Sequence, residues 1–113
     1  MTVRDLCKIV DIYGIEYILR QLAEESMELA HAALKLIRAN RHETPSTLED
    51  AMDALTEEAA DVYVMLSVLS AILGDDYRKC VQTISRQKES RMVERLLGGD
   101  AHGHDAADKA EAL

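Results

Sequence analysis

The chain has 113 residues and a formal net charge of -8; 48% of its residues are apolar, and its only aromatic residues are tyrosines. This length predicts one domain, and the negative charge argues against nonspecific binding to nucleic acid or to an anionic membrane. No apolar run is long enough to span a membrane and the first residues do not begin a signal peptide, so we expect a cytoplasmic protein.

The composition favours an all-helical fold, because there is one proline and the core must be filled by aliphatic side chains. Cys7 and Cys80 show no metal-ligand spacing. We therefore expect them to be buried or half-buried free thiols in a reducing compartment.

The first predicted helix is short, from Thr2 to Tyr13, with Thr2 as its cap and Asp5 in its first turn. Gly14 interrupts it. From Ile15 to about Ala39 the apolar residues recur at helical spacing, and a polar loop follows.

Ser46 and Glu49 have the spacing of a capping box, which predicts that the next helix begins there and runs to Gly74. Asp75 or Asp76 is expected to cap a last helix from Tyr77 to about Leu97. Residues 1–99 then form one helical domain, and residues 100–113 are predicted to be a disordered tail.

These elements predict a bundle of three main helices plus the short N-terminal helix. The two longest helices carry apolar stripes that need cover on more than one side. We expect the bundle to be completed by oligomerisation, as a homodimer or a homotetramer.

An acidic octapeptide occurs twice, at residues 22–29 and again 33 residues later at 55–62. At about 100° per residue, the second acid of each copy falls among apolar neighbours, and the third acid, three residues later, falls on the rim of the same face. The inward acids are Glu25 and Glu58, the rim acids are Glu28 and Asp61, and the acids expected in solvent are Glu24 and Glu57.

If the two helices pack side by side, four carboxylates converge, and they can all ionise only when cations lie between them. Oxygen ligands of this kind select hard cations, of which Mg²⁺ is the first choice and Mn²⁺ the second. A di-iron site is disfavoured: Glu28 and His31 form a Glu-x-x-His motif, but Asp61 is followed by Val64 at the matching position. We therefore expect His31 to be a surface residue.

Two segments resemble the MazG-type all-α nucleoside triphosphate pyrophosphatases over roughly residues 10–97. They are Gln21-Leu22-x-Glu24-Glu25-x-x-Glu28-Leu29, preceded by Gly14, and Glu57-Glu58-x-x-Asp61. The gap between the segments is slightly long for that family, and the loop at 38–47 can absorb the extra residues.

The resemblance implies that Glu25, Glu28, Glu58 and Asp61 bind Mg²⁺ and that the protein cleaves a nucleoside triphosphate between its α- and β-phosphates. The products would be a nucleoside monophosphate and pyrophosphate, in a house-cleaning or pool-regulating role. One of the four carboxylates is the candidate general base that activates the attacking water, and the sequence does not assign which one.

Further residues are candidates for binding the substrate. Lys88, Arg91 and Arg95 share one face of the last helix, where the family commonly has basic residues. Lys35, two turns after Glu28, is another candidate for phosphate, and Gln21 is a candidate for base or ribose.

Two alternatives stay open. One is a non-catalytic helical oligomer or regulatory module on the same scaffold; the retained acids argue against it, because apolar residues would pack better at positions 25 and 58. The other is a phosphoribosyl-ATP pyrophosphatase, whose further motifs are not evident. The preferred nucleotide is not encoded in any recognisable segment.

Overall fold

The computed structural model describes residues 1–98, and these residues form three α-helices with no strand. The helices are α1 (Val3–Asn40), α2 (Leu48–Leu73) and α3 (Asp75–Leu97). The all-helical prediction is confirmed. The predicted tail at 100–113 lies outside the described residues.

Helix α1 contains a break at Gly14. Thr2 caps the helix as predicted: its hydroxyl accepts from the Asp5 backbone N–H at 3.1 Å, and its own N–H donates to the Asp5 carboxylate at 3.1 Å. Gly14 has φ 78° and ψ 165°, a conformation reserved almost entirely for glycine. The short N-terminal helix is not confirmed as a separate element, because α1 extends from Val3 to Asn40 across this kink.

The sign of a stability change tests the break. In a continuous helix, Gly14→Ala would stabilise the protein by about 1 kcal/mol. At φ 78° we expect it to destabilise the protein instead, by roughly 1–3 kcal/mol, since the backbone is strained for any residue with a Cβ. No atom lies within 4 Å of the added Cβ, so the effect comes from the backbone alone. Urea unfolding measures it, and a stabilised variant would contradict the kink.

The starts of α2 and α3 correct two sequence predictions. Thr47, and not Ser46, caps α2, because the Thr47 hydroxyl accepts from the backbone N–H of Asp50 at 3.1 Å. Helix α3 begins two residues earlier than predicted, and its cap is Gly74 with φ 94°, without a side-chain hydrogen bond. Asp75 and Asp76 therefore lie in the first turn of α3, where their negative charges interact favourably with the positive end of the helix dipole.

The chain divides into two compact units, Met1–Leu73 and a second that begins at Gly74. In the first unit, α1 packs against α2. Leu36 and Ala39 near the end of α1 form an apolar cluster with Ala51 at the start of α2, and Leu55 packs against it. At the other end, residues near Met1 share a groove with residues 63–71 of α2. The two helices are therefore antiparallel.

The second unit contains α3, whose side chains from Arg78 to Leu97 are exposed. Cys80 on α3 and Cys7 on α1 are free, as predicted, but both are exposed. The prediction that these thiols are buried or half-buried is therefore wrong. Within residues 1–98, no helix combines the length and apolar content needed to cross a membrane.

Candidate metal centre

The two copies of the acidic octapeptide lie on α1 and α2 and face each other in the first unit. Glu25 and Glu58 are half-buried, whereas Glu28 and Asp61 are exposed at the rim. Glu24 and Glu57 are exposed, as the helical periodicity predicts. The separation into inner, rim and solvent-facing acids is thus confirmed.

Each inner acid meets the rim acid of the opposite helix. A carboxylate oxygen of Glu25 on α1 lies within 4.8 Å of one from Asp61 on α2, and Glu58 of α2 neighbours Glu28 of α1, which raises the pKa of Glu58. The two helices are antiparallel, and each carries one copy of the octapeptide. The two pairs of inner and rim acids are therefore related by an approximate local twofold axis. The centre therefore consists of two similar halves, Glu25 with Asp61 and Glu58 with Glu28.

Three of the four carboxylates form a tight group. One oxygen each from Glu25, Glu58 and Asp61 lies within 4.8 Å of the other two. Oxygens on opposite sides of a bound Mg²⁺ or Ca²⁺ stand about 4–5 Å apart, twice the metal–oxygen distance. The group is therefore compact enough to bind one divalent ion, and Glu28 adjoins it through Glu58.

The electrostatics of this group indicate missing positive charge. Burial raises the pKa of Glu25, and the negative charges of Asp61 and Glu28 raise it further. Burial also raises the pKa of Glu58, and the neighbouring Glu28 carboxyl raises it further. The Oε2 atoms of Glu25 and Glu58 are buried and accept no hydrogen bond from the described residues. Buried carboxylate oxygens without donors are costly, and a divalent cation is a partner that fits them.

The raised pKa values predict how stability changes with pH when divalent ions are absent. Between the usual value of 4.5 and the raised value, folded Glu58 binds more protons than unfolded Glu58, so this group favours folding as the pH falls. In EDTA, we expect Glu58→Gln to have a higher thermal midpoint than the wild type at about pH 8, and the difference to shrink toward about pH 5.

Glu57→Gln is the matched control, since Glu57 is one residue away and exposed. At about pH 8 its thermal midpoint in EDTA should exceed that of the wild type by less than the midpoint of Glu58→Gln does, because the half-buried charges stay in place. If Glu58→Gln were no more stable than the wild type at pH 8, the inward placement of a charged Glu58 would be refuted.

A cavity of about 140 Å³ opens beside the Glu58 half of the centre, and residues of α1 and α2 line it. Its lining residues are Glu28, His31, Ala32, Lys35, Ala54 and Glu58. Lys35, a predicted phosphate contact, is thus placed next to the acids. His31 is exposed, as expected for a surface residue, but it also lines this cavity. Sequence reasoning missed that role, because the opposing wall comes from α2.

The other candidate residues are placed as follows. Gln21 is half-buried, one turn before Glu25, and is not among the residues that line the cavity. Lys88, Arg91 and Arg95 are exposed and line one side of α3 in the second unit, as their spacing predicts. Their contact with phosphate stays a prediction.

No protein-family model matches the chain, and neither a curated protein nor a solved structure matches it significantly.

Proposed function

We propose that the protein is a Mg²⁺-dependent nucleoside triphosphate pyrophosphohydrolase of the MazG-like type. One observation carries this proposal: the repeated acids converge between α1 and α2, and two of their buried oxygens have no hydrogen-bond donor among residues 1–98. Glu25, Glu28, Glu58 and Asp61 would hold Mg²⁺, or Mn²⁺ in its place. Hard divalent cations held by carboxylates are a common means of binding triphosphates.

In the proposed reaction, water attacks the α-phosphorus, and the bond from that phosphorus to the α–β bridging oxygen breaks. A nucleoside monophosphate and pyrophosphate leave, and the proton of the water passes to one of the four carboxylates or to solvent. The bound cation supplies neutralisation of the phosphate charge and polarises the phosphoryl group. Glu25 and Glu58 are half-buried, so these two carboxylates are partly shielded from solvent, which strengthens their attraction to a cation.

A substrate panel tests the proposal. Canonical, deoxy and modified nucleoside triphosphates and phosphoribosyl-ATP would be incubated with the full chain, with Mg²⁺ or with EDTA. We expect pyrophosphate from at least one of them, only with the metal. In ¹⁸O-labelled water the label should enter the monophosphate. If every nucleotide stays intact, the non-catalytic scaffold becomes the better interpretation.

We further propose a cytoplasmic homo-oligomer that binds neither nucleic acid nor membranes. Met27 and Leu34, two turns apart on α1, are 65% and 56% exposed. They lie on the side of α1 opposite the buried Ala32 and Leu36. A second copy of the chain would cover this apolar face, consistent with how rarely monomers expose extended apolar surface.

Leu34→Asp is therefore expected to shift the protein toward smaller species, because a charge at an apolar interface is costly. Light scattering coupled to size-exclusion chromatography measures this at matched concentration, and circular dichroism checks that the helices persist. A wild type that is monomeric at the highest concentration reached would contradict the proposed assembly.

A further inference from the structure

The cavity beside Glu58 is small, open to solvent, and has room for a small anion. Its volume is about 140 Å³. Pockets for drug-sized ligands start at about 300 Å³. Ala32 and Ala54 leave this space free, because their side chains end at a methyl group. A phosphate or pyrophosphate group matches this volume, whereas a whole nucleotide would extend beyond the cavity.

The charges around the cavity are mixed in a way that suits a phosphate bound together with a metal ion. Glu28 and Glu58 line one part of the cavity and Lys35 another. Lys35 forms no ion pair with a carboxylate among residues 1–98, so its ammonium group is available to an external anion. His31, one turn before Lys35, carries at least one N–H in either protonation state and can donate from the same wall.

The local twofold relation shows that only one half of the centre is built in this way. The repeat of 33 residues maps His31 onto Val64, and Lys35 onto Val68. It also maps the small Ala32 onto Met65 and Ala54 onto Gln21. The Glu25 half therefore has apolar or longer side chains at the positions that give the Glu58 half its cation and its space. The two halves share acids but differ in what else they can bind.

We infer that this cavity binds the pyrophosphate end of the substrate, with Lys35 donating to phosphate oxygens opposite the carboxylates of Glu28 and Glu58. The inference rests on the proposed function, and it adds a direction to it: the β- and γ-phosphates lie at the Glu58 half of the centre. Since two carboxylates line the cavity, the anion binds only with a divalent cation between them.

Calorimetric titration of inorganic pyrophosphate into the full chain tests this without any turnover. The wild type should bind pyrophosphate with Mg²⁺ present and not in EDTA. Lys35→Met should weaken binding roughly tenfold, as expected for the loss of a charge-assisted hydrogen bond. Ala54→Leu, which fills the cavity, should weaken it as well. Lys8→Met is the matched control, because Lys8 is an exposed lysine of α1 outside the cavity.

Metal binding is measured separately, by electron paramagnetic resonance of added Mn²⁺ without pyrophosphate. It should change less than about twofold in Lys35→Met and Ala54→Leu, since neither residue is a carboxylate ligand. Absence of pyrophosphate binding by the wild type would overturn the inference, and so would a Lys35→Met variant that binds as tightly as Lys8→Met.

These outcomes are distinguishable from failure of the proposed function. If no nucleotide in the panel is cleaved but pyrophosphate binds through Lys35, the anion site is supported and the proposed reaction is rejected. If nucleotides are cleaved while Lys35→Met leaves both pyrophosphate affinity and KM unchanged, the proposed reaction is supported and the anion site is rejected.

Discussion

Glu58→Gln is expected to abolish pyrophosphate release while raising the stability of the metal-free protein. The loss should be on the order of a thousandfold, because metal-ion stabilisation is worth several kcal/mol and about 1.4 kcal/mol is tenfold in rate. The stability should rise because the neutral amide removes a half-buried charge that faces Glu28 and Asp61. Turnover on the best substrate of the panel and thermal unfolding in EDTA measure the two effects.

The opposite signs are what make this variant informative. A general folding defect would lower activity and stability together, whereas loss of a metal ligand held near like charges is expected to lower activity and raise stability. Glu57→Gln should retain activity, because Glu57 is exposed and stands apart from the converging carboxylates. Full activity in Glu58→Gln would remove the carboxylate centre from the reaction.

Mg²⁺ is expected to raise the thermal midpoint of the wild type by roughly 5–10 °C at about ten times its Kd. Binding to the folded state alone contributes about 1.4 kcal/mol at that concentration, and a domain of this size shifts by about 4–8 °C per kcal/mol. Scanning fluorimetry or calorimetry over a Mg²⁺ series measures the shift, with and without a nucleotide.

The controls for this shift use the inner and outer acids of α1. Glu25→Gln removes a half-buried carboxylate of the centre and should reduce the shift strongly. Glu24→Gln makes the same chemical change at an exposed neighbouring acid, and this variant should keep the full shift of the thermal midpoint. An equal shift in both variants would place the stabilising Mg²⁺ elsewhere on this acidic chain.

The geometry of the acids could be predicted from the sequence because it depends on a property of single helices. The position of Glu25 between apolar neighbours, and of Glu24 about 100° away, follows from helical periodicity alone. The repeat then indicates that the matching acid, Glu58, has the same depth on the partner helix.

Features that need two elements at once could not be predicted in this way. His31 faces away from the apolar stripe of α1, and it becomes part of a cavity wall because Ala54 and Glu58 of α2 form the opposite side. The cap of α2 was misplaced by one residue for a related reason: Ser46 and Thr47 both suit a cap, and the choice depends on where the preceding loop ends.

The break at Gly14 also bears on how the protein opens in solution. All buried residues of α1 come after the break, beginning with Ile18. The segment before it, residues 3–13, is attached to the core by partly exposed side chains only. This segment can therefore exchange its amide hydrogens through local opening, at a lower free energy than the rest of α1. The acidic centre, on the far side of the break, would remain assembled during such openings.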